Sequence, residues 1–227
     1  MENVYESLHE VRDHCRDGKM ESCLVQKADL SVLAFDEYLL DRVSFKSVGL
    51  LGVSFRSALL HHVSFNGATL RSASFATSHL RGTSFFNTEL IEAIFVGALL
   101  EGVRFFDTRL TNAKFGGSRV LNTRFNGVDL YGANFERALL MHTTFADPRM
   151  ENTQLSGANF RNAVLIDVDM NNANLYGADF TGALLCKVDL RDTNLVNAKF
   201  DGCKLVAVST DRADMGEAQR RILSTGA

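Results

Sequence analysis

The side chains best suited to metal binding or nucleophilic chemistry in this 227-residue chain are its six histidines and four cysteines. His61 and His62 are adjacent and His79 is near, whereas His9, His14 and His142 are isolated. His9 and His14 are five positions apart, one more than the spacing that places two ligands on one helix face. Cys15, Cys23, Cys186 and Cys203 form no CxxC pair and are too scattered for a disulfide framework. Cys23 and Cys203 occupy positions that want a small buried residue and read as reduced thiols. Cys186 lies nearer the surface, with nothing beside it to activate a thiolate. There is no GxGxxG, phosphate loop or nucleophile elbow. Asp169, Asp179 and Asp189 recur at fixed spacing and read as turn residues rather than an acid–base pair. The expectation is a non-enzymatic chain with no metal, no cofactor and no catalytic residue.

The element that must position every side chain is a period of five. From Val25 to Leu205 each fifth residue is large and apolar: 15 Phe, 18 Leu, two Val and two Met over 37 positions. A period of five fits neither an amphipathic helix nor an alternating strand, and a fixed internal period signals a repeat array. Two positions before each large residue the side chain is small or β-branched, as at Val53, Ala58, Val63 and Ala68. Two positions after it, turn formers such as Gly52, Gly67, Gly82, Asn112 and Gly127 are common. Each pentad therefore points two side chains inward and bends once, and a chain bending repeatedly in one sense forms a coil. Phe160, Phe180 and Phe200 are 20 apart, which gives four pentads per coil. Phe alternates with Leu from Phe35 to Phe145, so four-sided coils put Phe on two opposite faces and Leu on the other two. About nine coils at ~4.8 Å make a rod of about 43 Å. Beyond residue 150 the Phe positions change from odd to even multiples of five, beside the only proline, Pro148. The expected consequence is a core that changes its Phe faces, with a mild bend and no pentad inserted or lost.

Three segments follow. Residues 1–24 hold a capping helix from about Asn3 to Arg16, on the stripe Val4, Leu8, Val11 and Cys15, with Gly18 ending it. Residues 25–205 form the repeat. Residues 206–227 leave the pattern and supply a cap or dimerisation tail, with Ala213, Ala218, Ile222 and Leu223 as its apolar side. No apolar run is long enough to span a bilayer, and the charged N-terminus lacks a secretory core, so a cytoplasmic protein is expected.

The triplets Ala28-Asp29-Leu30, Ala133-Asn134-Phe135, Ala158-Asn159-Phe160, Ala173-Asn174-Leu175 and Ala178-Asp179-Phe180 resemble the pentapeptide-repeat consensus, close to A(D/N)LXX. The resemblance implies an all-β fold, a right-handed quadrilateral parallel β-helix with short terminal helices. It further suggests the quinolone-resistance and toxin-immunity branch of the family, whose members bind DNA gyrase or topoisomerase IV. A homodimer through the C-terminal end is implied by the same analogy.

Function then lies on outward side chains. Leu39, Leu59, Leu99 and Leu139 fall at multiples of 20 on one face, with Leu121 and Met141 beside it, and Phe86 and Phe106 align on another. These form a candidate partner surface. Arg104, Arg109, Lys114, Arg119 and Arg124 occupy the same slot of five successive pentads and predict a basic belt. Between Asp41 and Glu89 there is no acid, while Asp167, Asp169, Asp179, Asp189 and Asp192 make the later coils more acidic. The repeat is neutral overall, with 18 basic and 18 acidic residues, which weakens mimicry of duplex DNA. Direct nucleic-acid binding is disfavoured, because the belt lacks strong positive charge and interleaved aromatics. Two readings stand: a topoisomerase-binding rod, and a general protein-interaction scaffold.

Overall fold

The computed structural model describes residues 3–15, 17–145 and 155–224, apart from the side chains of Ala218, Arg221 and Ser224. The chain winds as a right-handed, four-sided parallel β-helix. Among the described residues, ten strands stack on the face that carries Met20, Leu40 and Leu60 at its start and Leu205 at its end. That is one turn more than the sequence predicts. Taking the faces in chain order, the first holds Met20 and Leu40, the second Val25 and Phe45, the third Leu30 and Leu50, and the fourth Phe35 and Phe55.

The bends occur where the pentad places them. Two residues after each large inward side chain of the repeat but Leu30, among the described residues, the backbone takes positive φ, as at Gly52 (66°) and Gly67 (63°). Non-glycine residues do the same at the equivalent place, including His62 (53°), Asn112 (57°) and Asp192 (57°). A left-handed conformation costs a non-glycine residue roughly 1–2 kcal/mol. The coil imposes it regardless, because each bend satisfies backbone donors on the next coil: Leu50 N–H donates to Thr69 O at 2.9 Å and Phe55 N–H to Ser74 O at 2.7 Å.

The interior is filled by two opposed phenylalanine columns. On the fourth face, Phe35 and Phe55 stack with centroids 5.1 Å apart, and Phe115 and Phe135 at 4.6 Å. On the second face, Phe45 and Phe65 stack at 5.0 Å and Phe125 and Phe145 at 4.7 Å. Rings of the two columns meet edge to face, as for Phe55 and Phe65 at 82°. Such pairs add about 0.5–1.5 kcal/mol beyond the burial of the rings. The small inward positions also tolerate threonine because its hydroxyl finds an acceptor on another coil. Thr83 Oγ1 donates to Leu60 O and Thr143 Oγ1 to Val120 O, each at 3.1 Å.

The expected change of Phe faces does not occur. Pairing joins residues 20 apart up to Arg119↔Leu139, then 25 apart at Leu139↔Val164, and 20 apart again at Val164↔Leu184. One coil therefore contains an additional pentad, which falls among residues 146–154, outside the described residues together with Pro148. This shift keeps the fourth-face column continuous: Phe135 stacks on Phe160 at 5.1 Å, and Phe160 on Phe180 at 4.8 Å. The change in phase marks an insertion that preserves packing.

Both ends extend further than the pattern suggests. Strand β1 (Asn3–Tyr5) pairs with β2 (Lys19–Gln26), which pairs with β3 (Leu39–Lys46). Helix α1 (Leu8–His14) is shorter than expected because Asn3–Tyr5 is a strand edge and Ser7 is the N-cap. Ser7 and Glu10 form a reciprocal capping box. Val11 and Cys15 are buried, while Val4, placed on the same stripe by sequence, is exposed. At the other end, Val208 and Met215 remain buried and Asn194 still bridges Asp214, so winding continues to about Met215. Helix α2 (Glu217–Ser224) then folds over the last coil, with Leu223 buried, Ile222 packed against the core and Gln219 Nε2 donating to Ala198 O at 3.1 Å. Ala213 also packs there, whereas the side chain of Ala218 lies outside the described residues.

Candidate functional site

An inward column needs large apolar side chains at every level, but the outward positions are free to vary. Phe86 and Phe106 use that freedom on the second face. Their backbones pair in register, and the rings stack at 5.2 Å and 6°. Phe86 is 45% exposed. The alternation of the strand sends Phe85 and Phe105 inward and returns Ser84 and Arg104 to the same outer surface. Arg104 pairs in register with Arg124, so the two guanidinium side chains rise from adjacent coils beside the two rings. Together with Ser84 and Asn126 these residues line a recess of about 380 Å³. Asn126 Oδ1 is buried and has no hydrogen-bond partner among the described residues.

The predicted basic belt is distributed around the rod. Arg109 lies on the third face, paired with Glu89 at 3.2 Å, and Lys114 on the fourth between Ile94 and Asn134. Arg119 lies on the first face between Leu99 and Leu139. Only Arg104 and Arg124 adjoin, and neither forms an ion pair among the described residues.

Leu39, Leu59, Leu99 and Leu139 do share one column, but His79 and Arg119 interrupt it. The neighbouring column is apolar over a longer run. Leu121, Met141, Ile166, Cys186 and Val206 are successive partners, with Leu139, Val164 and Leu184 two residues before the middle three. A spacing of 20 finds Leu121, Met141 and Leu139 but misses Val164 and Ile166. The signal that locates them is the change in Phe phase, which reports the additional pentad.

Several acidic residues of the late coils are paired. Arg161 meets Asp179 at 3.2 Å, Arg191 meets Asp189 at 2.6 Å, Arg212 meets Asp192 at 2.6 Å, and Asp167 lies between His142 and Lys187. The hydrogen bonds from Arg191 and from Arg212 hold the Asp189 and Asp192 carboxyls below the usual range. Burial acts upward on Asp179, and the bonds from Thr181 and Arg161 outweigh it. Asp169, Asp201, Asp211 and Asp214 form no ion pair among the described residues.

His61 and His79 pack edge to face at 5.9 Å, and His79 Nε2 lies 3.7 Å from Glu101. No group of three or more His, Cys, Asp or Glu among the described residues could hold a metal ion. Burial pushes the Cys15 and Cys203 thiols up to about 11, and Cys203 Sγ donates to Phe180 O at 2.8 Å. No helix among the described residues is long and apolar enough to cross a membrane.

A filled, four-sided parallel solenoid with a five-residue period defines the class of the molecule. The model of the pentapeptide repeat region matches residues 18–95 and 118–195, more than two thirds of the sequence, and the chain belongs to the pentapeptide-repeat family. No curated protein sequence matches it. Among solved structures it is similar to Rfr23 from the cyanobacterium Cyanothece 51142, at 23% identity and a TM-score of 0.40, covering 43% of this chain and 64% of that one. HetL of Nostoc sp. strain PCC 7120, involved in heterocyst differentiation regulation, is 21% identical over 91% of both chains with a TM-score of 0.36. Full-length QnrB1, a plasmid-mediated fluoroquinolone resistance protein, is 14% identical over 91% of this chain and 98% of that one, with a TM-score of 0.40. At these identities the likeness is one of fold.

Proposed function

We propose that this chain is a non-enzymatic rod that binds a protein through its outward side chains. The observation that carries the reading is the apolar band of the first face. Eight apolar residues (Leu121, Leu139, Met141, Val164, Ile166, Leu184, Cys186 and Val206) point outward over five consecutive turns. The interior beneath them is already filled, and these outward side chains are half-buried, with Val206 exposed. A contiguous apolar strip of this kind on a polar surface is a contact site.

The partner we propose is a type II topoisomerase, DNA gyrase or topoisomerase IV, with the rod modulating the action of topoisomerase poisons in the cytoplasm. Support comes from the resemblance in repeat pattern and from the stacked coils of the rod. In this reading the contact is apolar rather than an imitation of DNA charge, since Asp179, Asp189 and Asp192 are each paired with an arginine. A homodimer would form through the outer surface of α2 and the last coil. Gyrase supercoiling with and without a quinolone is the test, using the native chain and Ile166→Asp. Inhibition or protection that weakens in the variant is expected. Absence of any effect or binding at micromolar protein refutes the topoisomerase assignment and leaves the scaffold reading, in which the same strip takes another protein.

A further inference from the structure

The second face carries a site of different chemistry from the apolar band. Three columns run side by side over three coils there. Gly82, Gly102 and Asn122 form the corner, followed by Ser84, Arg104 and Arg124, and then by Phe86, Phe106 and Asn126. The glycines leave the corner beside the arginines without side chains, and a recess of about 380 Å³ opens there, bounded by His62 and Asn122. The arginines thus stand between a polar recess on one side and the phenyl pair on the other.

Charge selects the class of ligand. Several basic side chains elsewhere on the rod meet carboxylates, as Arg109 meets Glu89 and Arg161 meets Asp179. Arg104 and Arg124 adjoin in register with no ion pair among the described residues, so two like charges are held together without compensation. That arrangement favours an anion, and a guanidinium fork suits a carboxylate. The phenyl pair then selects between kinds of anion. Phe86 and Phe106 cover each other face to face, and Asn66 and Asn126 bracket them along the column. They present ring edges outward. A nucleobase needs an open ring face on which to stack, whereas an aliphatic or aromatic side chain packs readily on a ridge of edges. Asn126 Oδ1, without a hydrogen-bond partner among the described residues, adds an acceptor for a backbone N–H.

We propose that this surface binds an extended acidic protein segment carrying an acidic residue and, two positions on, a large apolar one. The spacing follows from the strand. Arg104 and Phe106 are alternate residues of one strand, roughly 6.7 Å apart along it. An extended segment laid alongside repeats the same distance between its own alternate side chains. Its carboxylate meets Arg104 and Arg124 while its apolar side chain meets Phe86 and Phe106. This inference rests on the reading of the rod as a protein-binding module, and it specifies a partner chemistry that the apolar band does not.

The test is fluorescence anisotropy with the full chain and a labelled Ser/Gly peptide bearing Glu-Ser-Phe triads. Binding in the range of roughly 10–500 µM is expected, weakening at high salt as charge is screened. The doubly substituted R104E/R124E and F86S/F106S chains should each bind at least about tenfold more weakly, a loss of about 1.4 kcal/mol. R109E, whose arginine is on another face and already paired, should bind like the native chain. Peptides with Lys for Glu, or Gly for Phe, should bind at least as poorly as the double variants do to the parent peptide. Thermal unfolding of each variant verifies that the coils persist, and R104Q/R124Q provides a milder change should the charge-reversed chain not fold. The proposal is overturned by equal binding to native and R104Q/R124Q chains, by no binding at about 1 mM peptide, or by tighter binding of a dT20 oligonucleotide at the same residues. Peptide binding without an effect on gyrase refutes the topoisomerase assignment alone. An effect on gyrase without peptide binding refutes this surface alone.

Discussion

The coils before residue 146 and those after residue 154 have the same outline but differently built cores. In the earlier coils two phenylalanine columns face each other and interlock edge to face, as Phe115 does with Phe125 at 84°. In the later coils only the fourth face retains phenylalanine, through Phe160, Phe180 and Phe200. The second face continues with Met170 and Leu190, both buried. The two halves join across a 25-residue coil, and the phenylalanine column of the fourth face passes through that junction unbroken. A solenoid thus tolerates an added pentad while one inward column, here the phenylalanines of the fourth face, still meets its like across the junction.

Removing a pentad at two different places sharpens that comparison most. Deleting residues 87–91 from the earlier coils should turn every later residue by one face at a single junction, setting phenylalanine over leucine. Mismatch at several core positions costs about 1–3 kcal/mol each, so a loss on the order of 4 kcal/mol or more is expected in denaturant unfolding. Deleting residues 147–151 should restore a coil of regular length and change stability by no more than about 1 kcal/mol. Equal losses from the two deletions would contradict the continuous column. Next in size, Phe115→Ala within the double column should cost about 3–5 kcal/mol. Phe86→Ala, on an outward ring, should cost under about 1 kcal/mol because it leaves no interior cavity.

The smallest effect concerns the ends, where each half is capped differently. Cys15 follows α1 and Cys203 lies near the last coil, both with thiol values raised to about 11 by burial. The unfolded chain ionises these thiols near 9, and the native chain does so only near 11. Their contribution is therefore complete below pH 9 and is lost as the pH rises towards 11. A C15A/C203A chain should show a flatter fall in stability across that window than the native chain when unfolding midpoints are compared.

Much of this architecture is legible in the sequence. The alternation of Phe and Leu places two Phe columns on opposite faces, and the turn residues predict the bends that Gly52 and Gly67 make. The additional pentad is not visible in the five-residue register, since adding five residues leaves every inward position inward. Only the phase of phenylalanine records it, and that phase reads equally well as a change of core. The ends are obscured for a different reason. Met20, Val208 and Met215 have inward roles, but their flanking residues depart from the repeat. On the surface, spacing alone pairs Phe86 with Phe106 and Arg104 with Arg124. That the two pairs share one face and one recess requires the strand alternation and the coil together.

The placement of every outward column beyond Phe145, and with it the apolar band, depends on the 25-residue coil. Asn134 and Asn159 are outward neighbours across it. Adjacent parallel strands bring Cα atoms within the 4.4–6.8 Å that a disulfide spans, by roughly the 4.8 Å strand spacing. Oxidation of an N134C/N159C chain, followed by peptide mapping, should yield the 134–159 crosslink, while an N134C/Q154C chain should not crosslink. Crosslinking of 134 to 154 instead of 159 would contradict the register on which the account is built.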